Sequence, residues 1–121
     1  GVEEGAGELI LWGVKYEVRW GGPRAGKLAH VESFSAELLD FPLRLRGWVH
    51  GDRMSFPYGT KKLKKVFLEA GVAAGQRDRV PVLVDASGNV LWVMGVATSD
   101  RARPRGSAPP FLIGMGNVHQ S

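Results

Sequence analysis

The feature that most constrains this chain is a stretch of strict alternation near its start. Ile10, Trp12, Val14, Tyr16, Val18 and Trp20 take every second position, with Gly13, Lys15, Glu17 and Arg19 between them. Period two is the repeat of a β-strand, whose side chains point to opposite faces in turn, so one strand with an apolar and a polar face is predicted. Such a strand belongs in an antiparallel sheet that packs on one side and meets water on the other. Gly21-Gly22-Pro23 ends it. The 17 glycines and 7 prolines in 121 residues predict frequent turns and few helices, and the length suits one hydrophobic core.

Other strand signals follow. Residues 28–34 give a weaker one, and Leu43 and Leu45 alternate with Arg44 and Arg46 to give a strand with one basic face. Residues 80–84 and 90–96 are continuously apolar and are joined by Asp85-Ala86-Ser87-Gly88-Asn89, which predicts a hairpin buried on both faces with a glycine at positive φ in its loop. Residues 111–115 are expected to close the sheet as a short last strand. Gly1 to Glu8, acidic and glycine-rich, read as the end of a linker, with a single domain from residue 9 to 121. A chain that begins with Gly is expected to be a piece of a larger protein.

One segment, about 60–70, reads as helix. Thr60 fits an N-cap, Gly71 fits the C′ position, and Leu63, Val66, Phe67 and Ala70 make one apolar stripe between them. Lys61, Lys62, Lys64 and Lys65 project from the opposite side, broken only by Leu68. A further helical turn is expected near Gly75–Asp78, and residues 51–59 read as a loop. The class is α+β: an antiparallel, β-sandwich-like sheet with one principal amphipathic helix.

Charge is unevenly spread. Residues 1–43 carry four basic and seven acidic groups, net −3, whereas residues 44–105 carry twelve basic and five acidic, net +7. Asymmetry of this kind serves association with a polyanion, or else forms a solvated surface. Lysines in the first turn of a helix oppose its dipole, which makes sense if a phosphate sits at that end. The alternative is a lysine face that merely meets water.

Enzyme signals are poor. With no cysteine there are no disulfides, thiolate nucleophiles or Cys-bound zinc. His30, His50 and His119 make no metal-ligand spacing, and GxSxG, GxxxxGK[ST] and SGGxDS loops are absent. Asp52 beside His50 can be drawn as an acid–base pair, but a turn carboxylate more often caps backbone N–H groups. No metal site is expected, and no apolar run approaches the ~18–20 residues of a membrane span.

The blocks from Leu38 to Pro104 carry a family resemblance. They are Asp40-Phe41-Pro42-Leu43-Arg44-Leu45-Arg46, Gly51-Asp52-Arg53 with Pro57 and Gly59, Thr60-Lys61-Lys62-Leu63-Lys64, Gly71-Val72, Arg77-Asp78-Arg79-Val80-Pro81-Val82-Leu83-Val84, Leu91-Trp92-Val93, Gly95-Val96 and Asp100-Arg101. In that order and spacing they resemble the C-terminal domain of bacterial tRNA(Ile)-lysidine synthetases, ATP-dependent ligases that attach lysine to an anticodon-loop cytidine. The resemblance implies a non-catalytic tRNA-binding domain with no cofactor of its own, ATP and lysine being used by a catalytic domain N-terminal to it. It also implies a form like a domain of the phenylalanyl-tRNA synthetase β chain, a bacterial cytoplasmic setting, and a tRNA partner gripped by its phosphate backbone near the acceptor stem. Contacts carry over to Arg53, Lys61, Lys62, Lys64, Arg77 and Arg101, and Lys65 joins them on the lysine face. Met94 departs from a proline the family often has, and Ala74-Gly75-Gln76 from a bulkier stretch, which weakens the transfer at Arg77. Arg77 and Arg79 fit RNA contacts or internal salt bridges equally. The competing reading is a protein–protein or oligomerisation module, such as a homodimer, with the tryptophans and residues 107–115 as the interface.

Overall fold

Trp12 and Gly13 both take left-handed backbone, with φ of 52° and 76°, and so make a two-residue hairpin turn. The alternating stretch is therefore two strands. In chain order the elements are β1 (Gly5–Leu11), β2 (Val14–Trp20), β3 (His30–Phe34), β4 (Arg44–Arg46), β5 (Arg53–Phe56), β6 (Gly59–Lys62), α1 (Leu63–Glu69), α2 (Ala74–Arg77), β7 (Val82–Val84), β8 (Val90–Val93), β9 (Ala97–Thr98) and β10 (Phe111–Asn117). The structure, a computed structural model, describes residues 4–106 and 109–118. The α+β class with antiparallel sheets and few helices is as expected. The chain folds as two compact units, one of residues 1–38 with 103–121 and the other of residues 39–102.

In the first unit four antiparallel strands lie in the order β1-β2-β10-β3. Leu11 pairs with Val14, Leu9 with Tyr16 and Ile10 with Lys15, so the turn swaps the parity of the two strands. Tyr16 goes inside at 5% exposure while Ile10, expected on the same face, stays 66% exposed. Gly5 to Glu8, read as linker, are ladder residues of β1, paired with Trp20 to Glu17; Gly1 to Glu3 lie outside the described residues. β10 is central rather than closing, because it bonds β2 on one side and β3 on the other. Phe111, Ile113 and Met115 are consequently buried. Of the 107–115 stretch, Phe111, Ile113 and Met115 are thus taken up by the core while Pro109 and Pro110 stay exposed; Ser107, Ala108 and His119 lie outside the described residues. A Cβ on Gly114 would sit 2.0 Å from the Ala25 carbonyl oxygen, so the 3-10 turn Pro23–Lys27 reaches the sheet only where a side chain is missing.

The second unit holds the sheet β4-β7-β8-β9 and the hairpin β5-β6. β7 and β8 are buried throughout, as their unbroken apolar runs predict. Their loop is held by the Asp85 carboxylate, which accepts from the Ser87 and Asn89 N–H groups at 3.0 and 2.8 Å. Met54, Leu63, Val66, Phe67, Val82, Val84, Val90 and Val93 form one core cluster. The apolar stripe of α1 supplies three of these, and Gly71, at φ 75°, follows the helix as its sequence position predicts.

Two expectations here are corrected. The helix starts at Leu63, not Thr60, and Lys62 is its N-cap without a side-chain cap bond. Residues 53–56, read as loop, form β5 and pair with Gly59–Lys62. The pairing of Gly59–Lys62 with Arg53–Phe56 runs on to the Leu63 N–H, which is met by the Asp52 carbonyl at 2.8 Å, so the chain stays extended until the helix begins. Among the described residues no helix is long and apolar enough to cross a membrane.

Candidate nucleic-acid interface

The β5-β6 hairpin exists because Arg-Met-Ser-Phe alternates out and in. Met54, 1% exposed, enters the core, and a two-residue turn at Pro57-Tyr58 brings the chain back. Met54 then faces Lys61 on the inner side, while Arg53 faces Lys62 and Ser55 faces Thr60 on the outer side. Like charges directly opposite each other in a ladder destabilise it. Arg53 and Lys62 are nevertheless both exposed, and among the described residues neither is ion-paired.

A turn fixed by Asp52 sets this hairpin in place. Its carboxylate accepts Arg46 through both guanidinium nitrogens, at 2.9 and 3.0 Å, and the Val49 N–H at 2.7 Å. Burial pushes the Asp52 carboxyl up, but the Arg46 and Val49 hydrogen bonds and the Arg46 charge outweigh it and hold the group below its ordinary value. Its carboxylate oxygens are taken by Arg46 and the Val49 N–H, the turn-capping role expected of an acid at this position.

The four lysines separate. Lys64 and Lys65 stand exposed on α1, and neither is ion-paired among the described residues. Lys61, expected on the helix, lies in β6 and points elsewhere. Its ammonium is 2.7 Å from Glu69 Oε1, and 5.0 and 5.7 Å from the ring centroids of Tyr58 and Phe56. The bond to Glu69, with Tyr58 alongside, raises its pKa, and the same Lys61 bond lowers that of Glu69. Lys61 thus ties the hairpin tip to the end of the helix. Lys61 and Lys62 precede a helix of only seven residues and so do not lie in its first turn, where a phosphate at the helix end was expected to meet them.

Arg77 is half-buried and donates from Nε to the Val72 carbonyl at 3.1 Å, which closes the loop after α1. Next to it, Asp78 accepts the Trp48 indole N–H at 3.0 Å, and Trp48 meets Phe67 edge-on at 5.6 Å. Arg79 is exposed. Arg101 is laid alongside β5, because the Asp100 N–H and the Ser99 hydroxyl both donate to the Ser55 carbonyl, at 3.0 and 3.1 Å. Its side chain is 52% exposed, with Nε 4.0 Å from Asp85 Oδ2.

The structure sets Arg53 opposite Lys62 across the ladder, leaves Lys64 and Lys65 exposed on α1 and Arg101 exposed with Nε toward Asp85, and turns Lys61 and Arg77 to internal partners. Five of the six acids of this unit have a local side-chain or loop partner, Asp40 in Ser87 Oγ, Asp52 in Arg46, Glu69 in Lys61, Asp78 in Trp48 and Asp85 in its own loop, whereas Asp100 Oδ1 is buried without a hydrogen-bond partner among the described residues. Positive charge is left over on the outside. What the sequence did not reveal is the Arg53–Lys62 pairing; its signal was the Met54/Phe56 alternation ahead of Pro57-Tyr58-Gly59. In the other unit a cleft of about 460 Å³ is lined by both signs, including Glu4, Glu17, Arg19 and Lys27, and Arg19 is spent on Glu17 at 2.9 Å. Among the described residues no group of three or more His, Asp or Glu gathers as a metal site.

The family model described as the TilS substrate C-terminal domain matches residues 43–110, more than half of the chain. The chain belongs to this family. This TilS-type domain is similar to the tRNA(Ile)-lysidine synthase of Geobacillus kaustophilus (strain HTA426), 44% identical over 78 residues, which are 62% of this chain and 17% of that protein. It is also similar to the bifunctional protein TilS/HprT of Listeria monocytogenes (serotype 4b, strain F2365), 44% identical over 66 residues, 53% of this chain and 10% of that protein. The TilS-type domain thus spans less than a fifth of either relative. A solved structure titled "Crystal structure of TILS C-terminal domain" matches with a TM-score of 0.67 and 32% identity, covering 87% of this chain and 86% of that one.

Proposed function

We propose that this chain is a non-catalytic tRNA-holding domain of a bacterial, cytoplasmic tRNA(Ile)-lysidine synthase. In the whole enzyme, ATP and lysine are used by another domain, which converts an anticodon-loop cytidine to lysidine. This domain grips the tRNA elsewhere, at the acceptor stem. The observation that carries the reading is the cross-strand pair Arg53–Lys62, two cations held opposite each other with no acid of their own. That arrangement costs free energy in the isolated domain and is relieved when a phosphate lies between them.

A-form RNA hides its base edges in a deep, narrow groove, so recognition of a stem runs through phosphates and 2′-hydroxyls. The outer face of the hairpin suits this. Arg53 and Lys62 supply charge, Ser55 and Thr60 are hydroxyl-bearing residues on the same face, and Lys64, Lys65 and Arg101 extend the cationic surface. Lys61 and Arg77 position it. Holding the tRNA body raises its effective concentration at a distant catalytic site.

The test is binding of a tRNA(Ile) transcript by the 121-residue chain, followed by anisotropy. Arg53→Glu with Lys62→Glu is expected to weaken binding by about tenfold or more at low salt while leaving circular dichroism unchanged. Equal affinity for the reversed and native chains contradicts the reading. A concentration-dependent dimer without RNA affinity points to an oligomerisation module instead.

A further inference from the structure

Tyr58 is the most exposed of the large apolar residues described, at 70%. It sits in the two-residue turn at the tip of the β5-β6 hairpin, where a polar residue is the ordinary choice. Its ring is not loose. It lies parallel to Phe56, with centroids 5.5 Å apart and planes 3° from parallel, and the Lys61 ammonium stands 5.0 Å from its centroid. Glu69 holds that ammonium at 2.7 Å, so the tyrosine is oriented from behind by a phenyl ring and an anchored cation. Lys65, exposed on α1, stands four residues before Glu69, one helical turn along the same face.

We infer that Tyr58 is a stacking platform for one unpaired nucleobase adjoining the RNA stem, with Lys65 serving the flanking phosphate. The inference rests on the RNA-holding role and names a further contact within it. A ring already fixed in direction loses little conformational freedom when a base covers it, which is the condition for an exposed aromatic to add affinity. The turn is about three residue steps, or ~10 Å, from the Arg53–Lys62 pair, a span of roughly three stacked nucleotides along one strand. Stacking on a π-face is tolerant of base identity, so the platform favours a single-stranded extension without reading its sequence.

The experiment compares a blunt RNA duplex, the same duplex with a short single-stranded 3′ extension, and that extension made of abasic nucleotides. Native chain is expected to bind the extended duplex about tenfold more tightly than the blunt one, and the abasic extension, which keeps every phosphate, loses that gain. Tyr58→Ala loses the gain but binds blunt duplex as the native chain does, and Tyr58→Trp retains it. Equal binding of abasic and normal extensions by native chain overturns the platform, and this comparison needs no variant to fold. So does a Tyr58→Ala chain that still gains from the extension or that weakens on blunt duplex to the same degree. Failure of native chain to bind even the blunt duplex overturns the RNA-holding role itself, which separates the two.

Discussion

Removing the Asp52 carboxylate tests whether the turn ahead of β5 holds the cationic hairpin in place. Asp52→Ala deletes three hydrogen bonds, two from Arg46 and one from the Val49 N–H, and leaves a half-buried guanidinium without its acid. Hydrogen bonds to charged groups contribute about 1.5–3 kcal/mol each, but Arg46 keeps its bond to the Gly47 carbonyl and its side chain is 27% exposed, so water recovers part of the loss. The net effect is expected to be about 2–3 kcal/mol, or roughly 8–12 °C in Tm for a chain of this size. Asp52→Asn, which keeps the shape and one acceptor, should cost about half as much. The sign with pH follows from the lowered pKa of Asp52. A carboxylate with a depressed folded-state pKa stabilises the fold above its unfolded value near ~3.9, and the stabilisation is lost as pH falls through the folded value. The gap between native chain and Asp52→Asn is therefore constant near neutrality and closes below about pH 4. Urea unfolding at a series of pH values measures it. A Tm for Asp52→Ala equal to the native value, or a gap that does not change with acid, refutes the reasoning.

Two further outcomes are expected. Glu69→Gln releases Lys61 from its ion pair and removes a negative charge beside Lys65, so affinity for blunt duplex RNA, which does not use the Tyr58 ring, should rise and its salt dependence should steepen by about one phosphate's worth; anisotropy at several salt concentrations checks this. Gly114→Ala drives a methyl group against the Ala25 carbonyl, backbone that has no side chain to swing away, and should destabilise by about 1–3 kcal/mol in urea unfolding.

Local patterns made much of this fold legible. The Asp85–Asn89 loop declared its hairpin because an acid, a glycine and an asparagine act on their own backbone, and the apolar stripe of Leu63, Val66 and Phe67 declared the helix. Long-range pairing was hidden. Thr60 looks like an N-cap until Thr60, Lys61 and Lys62 are paired with Ser55, Met54 and Arg53, a choice made by a partner strand rather than by the residues themselves. The turn at Trp12-Gly13 was masked because apolar residues continue at even positions on both sides of it, and because tryptophan in place of asparagine or aspartate gives no turn signal. The same limit applies to the candidate site. Four lysines in five positions promised a single cationic face, yet one of them, Lys61, is committed to Glu69 and two aromatic rings. Its place is taken by Arg53, which sequence distance had set apart from Lys62.

In the proposed role, the hairpin and the helix beside it present cations to RNA phosphate. The slope of log affinity against log salt concentration for duplex RNA measures it most directly, at about 0.9 per neutralised phosphate. The five cations of that surface, Arg53, Lys62, Lys64, Lys65 and Arg101, predict a slope of about −4.5 for the native chain, falling to about −2.7 when Arg53 and Lys62 are both reversed. A slope near zero for the native chain, or one that survives the double reversal unchanged, contradicts it.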